Sequence, residues 1–205
     1  GLARSATRAG VGLVGGNILR AGGGPFRLTI TLLGRPTGRK PVLRSGARPG
    51  DLIVVTGHPG LAAAGRQLLE ESGKGPDLWD PPPASVRRGA TGGAATRPDY
   101  PLADPVARAA LTRFLTPAAR LAAGAWAARA GASALIDLSD GLAADLGHVL
   151  KASGCGARLD RNALPRARGF NDLCAARGWR PEQLVLFGGD DYELLFTISP
   201  RKWAA

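Results

Sequence analysis

The segment from Ala132 to Leu150 constrains this chain most: a short apolar run ends in Asp137-Leu138-Ser139-Asp140-Gly141-Leu142 and passes straight into a helix-patterned stretch. Leu142, Leu146, Val149 and Leu150 fall on one stripe at helical spacing, with Asp145 beside it. A buried strand, an acidic turn and a helix in that order place two carboxylates at a strand exit and a helix mouth. Such a place suits a hard divalent cation and a phosphate: Mg²⁺ takes carboxylate and phosphate oxygens, and helix N-terminal amides favour anions. Ser139 or Asp140 acting simply as a helix cap is the structural alternative.

A second acidic loop, Gly188-Gly189-Asp190-Asp191-Tyr192-Glu193, follows another apolar run. Three carboxylates in four positions repel one another, so the loop is expected to hold a cation or a donor-rich ligand. Gly15-Gly16-Asn17 is a third tight loop where backbone can approach a partner closely.

Secondary-structure expectations run along the chain. Residues 1–10 read as a helix tail and Val11–Val14 as a short strand. Phe26–Gly34 alternates apolar and polar residues with the period of a strand, and Leu52–Thr56 is a β-branched strand. Leu61–Glu71 is a helix stopped near Gly73. Leu111–Ala130 is helical but broken near Thr116-Pro117, with Thr116 capping a new helix and Arg120 one turn in. Ala157–Leu159 reads as a strand, Asn171–Arg177 as a helix, Leu184–Phe187 as a strand and Tyr192–Ile198 as another. Without strict βαβ alternation, these elements predict an α+β (α/β mixed) fold with a mostly antiparallel or mixed sheet packed with helices. The Pro- and Gly-rich stretch 74–101 lacks an apolar period and reads as a flexible insertion.

Composition excludes more than it selects. The formal charge of +11 is carried mainly by dispersed Arg, and no RNP, zinc-finger or basic-zipper pattern accompanies it, so no nucleic-acid partner is expected. Cys155 and Cys174 have no CxxC or Cys/His companions, which favours free thiols in a reducing cytoplasm over a disulfide or zinc site. No apolar run reaches the length of a membrane span, so the chain reads as soluble and cytoplasmic with no membrane partner. Phosphate loops, nucleophile elbows and HExxH motifs are absent, and His58 and His148 read as isolated. The chain holds no Met and opens on Gly1, which reads as part of a longer protein.

Four motifs together resemble the thiamine-monophosphate kinase family of the aminoimidazole-ribotide-synthetase-like ATP-binding superfamily. They are Gly-Val-Gly-Leu-Val-Gly-Gly-Asn17, Leu43-Arg44-Ser-Gly-Ala-Arg-Pro-Gly-Asp51, Ile136-Asp137-Leu-Ser-Asp-Gly-Leu-Ala-Ala-Asp145-Leu and Gly188-Gly189-Asp190-Asp191-Tyr192-Glu193-Leu194. The resemblance implies transfer of the ATP γ-phosphoryl group to thiamine monophosphate, giving thiamine diphosphate, by Mg²⁺-assisted direct in-line transfer without a catalytic side chain. It implies Asp137, Asp140 and Asn17 at the metal, and Gly16, Asn17, Arg44 and Ser139 at the nucleotide. Asp190 is implied at the thiamine substrate.

It further implies residues 1–38 as the end of an N-terminal ATP-binding domain, 39–205 as the C-terminal domain, and a homodimer in the full-length protein. Asn17 stands where the family has Asp, and Asp190 where it has Glu. The family's N-terminal aspartates and its C-terminal aromatic contact are not among these residues. A selenophosphate-synthetase-like enzyme of the same superfamily, or a non-catalytic remnant, are the alternatives.

Overall fold

A computed structural model describes residues 2–16, 28–35, 40–72 and 103–204. The chain divides into two compact units, Gly1–Arg35 and Pro36–Ala205. In the first, α1 (Leu2–Arg8) is followed by irregular backbone. The expected strand at 11–14 does not form, nor does the described part, 28–34, of that expected at 26–34, whose first two residues lie outside the described residues: residues 11–16 and 28–35 make no sheet pairing, and Val14, Leu32 and Leu33 stand exposed. Alternating apolar residues become a strand only where a partner strand satisfies their backbone groups.

The second unit is built on a sheet ordered β1-β3-β2, from β1 (Leu52–Val55), β2 (Ala134–Leu138) and β3 (Glu193–Ile198). Both described pairings are antiparallel, with Val54 and Leu135 each opposite Phe196, and Val55 and Ile136 each opposite Leu195. Because β3 lies between two neighbours and is covered on both faces, it is buried almost throughout, which explains its near-continuous apolar run.

On one face Ala134, Ile136, Leu138 and Leu195 join the main core. This core is formed with α2 (Leu61–Glu71), α3 (Pro105–Leu115), α5 (Leu142–Ser153), α6 (Phe170–Arg177) and α7 (Pro181–Phe187). On the other face, Phe196 and Ile198 pack with Ala127 of α4 (Leu121–Ala130). Trp126 closes that cluster edge-on to Phe196 at 6.0 Å and to Trp203 of α8 (Pro200–Trp203) at 5.8 Å. Helices and an antiparallel sheet thus give the expected α+β fold. Cys155 and Cys174 are free thiols, and burial raises that of Cys174 to about 11.

Three expectations in this unit fail. Leu184–Phe187 is the end of helix α7, not a strand: Pro181 occupies its first turn and Glu182 sits near its positive end. A four-residue apolar run carries no period that separates strand from helix, and Pro at the first helical position was the deciding signal. Ala157–Leu159 is exposed and pairs with no strand. Thr116 ends α3, its N–H and Oγ both donating to Thr112 O at 2.9 Å, and α4 starts only after Arg120. Arg120 therefore flanks the helix instead of sitting one turn inside it, held by the ion pair described below. The stretch 74–101 lies outside the described residues.

Candidate functional site

Asp145 organises the first acidic loop. Its carboxylate is buried, and Oδ2 accepts the backbone N–H groups of Ser139 at 3.0 Å, Asp140 at 3.1 Å and Gly141 at 3.2 Å. The residue flanking α5 is Gly141, which offers no side-chain cap. Ser139 and Asp140 are therefore not the caps of this helix. A carboxylate from inside α5 curls the turn around itself, leaving Asp140 exposed and Ser139 half-buried.

Gly141 has φ 110° and ψ 154°, a region essentially restricted to glycine. A Cβ there would also press on the backbone of Phe187 and Gly188, each at 3.0 Å. That close approach brings in the second loop, which pairs with the first backbone to backbone. Asp190 N–H donates to Ser139 O at 2.9 Å and Tyr192 N–H to Leu138 O at 2.8 Å.

The four positions 190–193 then alternate. Asp190 and Tyr192 have left-handed φ values of 65° and 48°, unusual for non-glycine residues, and turn outward. Asp191 and Glu193 turn inward and are fully buried. Asp191 accepts the N–H groups of Gly60 at 2.6 Å and Ala62 at 3.0 Å, capping α2 from another part of the chain. Burial pushes its carboxyl up to about 6 against the lowering effect of those two bonds.

Glu193 receives Arg120 in a bidentate pair, with Nε at 2.6 Å from Oε2 and Nη2 on Oε1. It also takes Arg113 at 2.9 Å and the Thr56 hydroxyl at 2.5 Å. Burial alone would raise its carboxyl, but these donors outweigh it and hold the group below the ordinary glutamate range.

The repulsion expected among these carboxylates is thus relieved by the protein's own donors, and of the three only Asp190 is half-buried instead of fully buried. Asp191, Glu193, Arg113 and Arg120 were not legible as an interlocked set. Only the crowding of acids hinted at donors somewhere nearby.

The structure places the remaining candidates as follows. Asp137 is exposed near the end of β2, in register with Leu194. Asp140 is exposed, and its carboxylate lies with the Asp145 carboxylate and the His148 imidazole in a group whose ligand atoms are within 4.8 Å of one another. His148 is therefore not isolated, although nothing marks it as a base. Arg44 is exposed and follows Leu43, whose carbonyl takes the Leu135 N–H at 2.8 Å along the edge of β2. Gly16 lies in the first unit, and Asn17 lies outside the described residues. Ser139 and Asp190 are brought together, whereas among the described residues no hydrogen bond or ion pair ties Arg44 to either acidic loop. Asp137 and Asp140 are exposed oxygen donors of the kind Mg²⁺ accepts. No described helix is long and apolar enough to cross a membrane.

A strand–acidic loop–helix unit locked to a second acidic loop defines the class. Residues 48–202 match the family model for the AIR synthase related protein, C-terminal domain, and the chain belongs to that family. Among curated proteins it is similar to the thiamine-monophosphate kinase of Salmonella typhimurium, with 39% identity over 91% of this chain and 47% of the relative. The Mycobacterium tuberculosis thiamine-monophosphate kinase is 34% identical over 95% of this chain and 49% of the relative. The chain spans about half the length of these relatives. Among solved structures, AaThiL complexed with AMPPCP and TMP superposes with a TM-score of 0.61 and 30% identity, covering 79% of this chain and 43% of that one. Thiamine monophosphate kinase from Aquifex aeolicus gives the same TM-score of 0.61.

Proposed function

We propose that this chain forms the nucleotide- and acceptor-facing wall of a thiamine-monophosphate kinase, which transfers the ATP γ-phosphoryl group directly to the phosphate of thiamine monophosphate. The locking of the two acidic loops through Asp190 and Ser139 carries this reading. The named relatives, and a structural neighbour complexed with AMPPCP and TMP, support it.

Asp137 and Asp140 would hold Mg²⁺, which when bound neutralises phosphate charge and aligns donor and acceptor oxygens. Ser139 meets the nucleotide, and Arg44 pairs with phosphate oxygens as a planar fork. Asp190 orients the thiamine moiety of the acceptor. An acceptor phosphate is already anionic at neutral pH, so this chain's residues bind and orient without abstracting a proton. Gly16 and Asn17 are nucleotide-binding residues in this reading, Asn17 also a metal ligand, and Asn17 stands for one carboxylate fewer than the family pattern. We assign residues 1–38 to the end of the nucleotide domain and 39–205 to the second domain, in a cytoplasmic homodimer.

Binding of AMPPCP with Mg²⁺ to the chain, and thiamine diphosphate formation by the complete gene product, test the proposal. Asp137→Asn is expected to suppress both. The Asn17 substitution favours a second reading, a binding remnant without turnover; restoration of Mg²⁺-dependent activity by Asn17→Asp would distinguish the two.

A further inference from the structure

We infer that Ser153, the last residue of α5, is a positioning residue for Arg44: its hydroxyl fixes the segment that presents that guanidinium to the nucleotide. The inference rests on the kinase reading above, in which Arg44 meets the nucleotide phosphates.

Arg44 lies on a stretch, 43–51, that belongs to no helix or strand, so its backbone groups need partners from elsewhere in the chain. Leu43 O is taken by the Leu135 N–H at 2.8 Å. Three residues further on, Ser153 Oγ accepts the N–H groups of Gly46 and Ala47, each at 3.1 Å. A hydroxyl oxygen offers two lone pairs, and here it serves two consecutive amides of one segment. Arg44, itself exposed, therefore stands between two fixed points, one on β2 and one at the end of α5.

The neighbouring residues are shaped to the same end. Gly46 has φ 116°, in the region that favours glycine, and a Cβ there would sit 2.6 Å from Ser133 O. Ala47 is buried in the main core, and the Cys155 thiol lies 3.9 Å from its carbonyl. Asp51 closes the stretch, its Oδ2 accepting the Arg48 N–H at 3.0 Å and the Ser133 hydroxyl at 2.6 Å.

Strand β2 links this stretch to the first acidic loop. Leu135, which holds Leu43, precedes Asp137 by two residues, about 7 Å along a strand. That is within the span of an arginine side chain, so a shift of the stretch moves the Arg44 guanidinium relative to the carboxylates proposed at the metal. Ser153 lies at the other end of α5 from the acidic turn, about 17 Å away along the helix, and acts through the loop instead of on the ligand. Holding the loop in place before binding reduces the ordering cost that an unanchored arginine would incur.

Calorimetric titration of the chain with AMPPCP and Mg²⁺ tests the inference with Ser153→Ala, Ser153→Thr, Arg44→Ala and the double variant Arg44→Ala/Ser153→Ala. Ser153→Ala is expected to weaken binding about fivefold, and Arg44→Ala about tenfold or more. Ser153→Thr keeps the hydroxyl oxygen and is expected to retain wild-type affinity. The double variant is expected to bind no more weakly than Arg44→Ala, because Ser153 acts only through Arg44. Asp104→Ala removes a side-chain acceptor from the Val106 N–H at the start of α3 and is expected to lower stability without changing affinity. Wild-type affinity in Ser153→Ala, additive losses in the double variant, no retention by Ser153→Thr, or an equal loss in Asp104→Ala would overturn the inference and leave the kinase reading in place. Affinity indifferent to Arg44→Ala, or absence of Mg²⁺-dependent AMPPCP binding, would instead count against the kinase reading and overturn this inference with it.

Discussion

Asp190 donates its backbone N–H to the carbonyl of Ser139 at 2.9 Å, joining two acidic loops separated by fifty residues of sequence. The bond forms at the point where Gly189 passes so close to Ser139 O that a Cβ would sit 2.5 Å from it. The separation of the loops is therefore set by backbone packing, and the carboxylates of exposed Asp140 and half-buried Asp190 inherit that geometry.

Gly141→Ala is expected to destabilise the domain by about 1–3 kcal/mol from backbone strain, with a further cost from pressing on Phe187 and Gly188. Equilibrium denaturation of the variant and wild type measures it. A loss below about 0.5 kcal/mol would show that the turn relaxes without cost.

Removing the cap inside α5 should act differently from an ordinary surface change. Asp145→Ala leaves the N–H groups of Ser139, Asp140 and Gly141 without their acceptor and is expected to cost about 2–3 kcal/mol. Hydrogen exchange at those three amides is expected to accelerate, whereas exchange in β1 should change only with global stability.

Glu193→Gln is expected to cost about 3–5 kcal/mol, because two largely buried guanidiniums lose their shared carboxylate. The folded carboxyl lies below its ordinary value, so its stabilising contribution is present above the unfolded pKa and is lost as pH falls through the folded value. Denaturation below pH 4 should narrow the gap between wild type and variant. A gap unchanged with pH would contradict the assigned ion pair.

Asp191 has the opposite sign. Its carboxyl is raised from 3.8 to about 6, so its contribution is fully present below the unfolded pKa and is lost as pH rises through about 6. Between pH 4 and pH 6, wild type should lose stability relative to Asp191→Asn, as read from denaturation midpoints. The variant itself is expected to be less stable at every pH, because one N–H of α2's entry loses its acceptor.

How far the fold was legible depended on whether a local pattern carried its own answer. Leu61–Glu71, with Ala, Leu and Gln at helical spacing, matches its observed bounds, and Ala134–Leu138 and Glu193–Ile198 lie within the segments read as strands. The misread elements depended on neighbours. The residues at 28–34 have strand periodicity but no partner, and the start of α4 follows the reach of Arg120 to Glu193 more than the Thr116-Pro117 cap signal. The acidic loops were visible as motifs, yet the division of labour within them was not. Which carboxylates face outward is decided by donors on α2, α3 and the entry to α4, far away in sequence.

The central claim is that Asp137 and Asp140 hold a divalent cation against nucleotide phosphates beside the locked loops. Titration of the chain with AMPPCP, with and without Mg²⁺, tests it most directly. Binding is expected to tighten with Mg²⁺, and both Asp137→Asn and Asp140→Asn are expected to remove that Mg²⁺-dependent gain while leaving the melting temperature unchanged. A Mg²⁺-dependent gain that survives both substitutions would contradict the account.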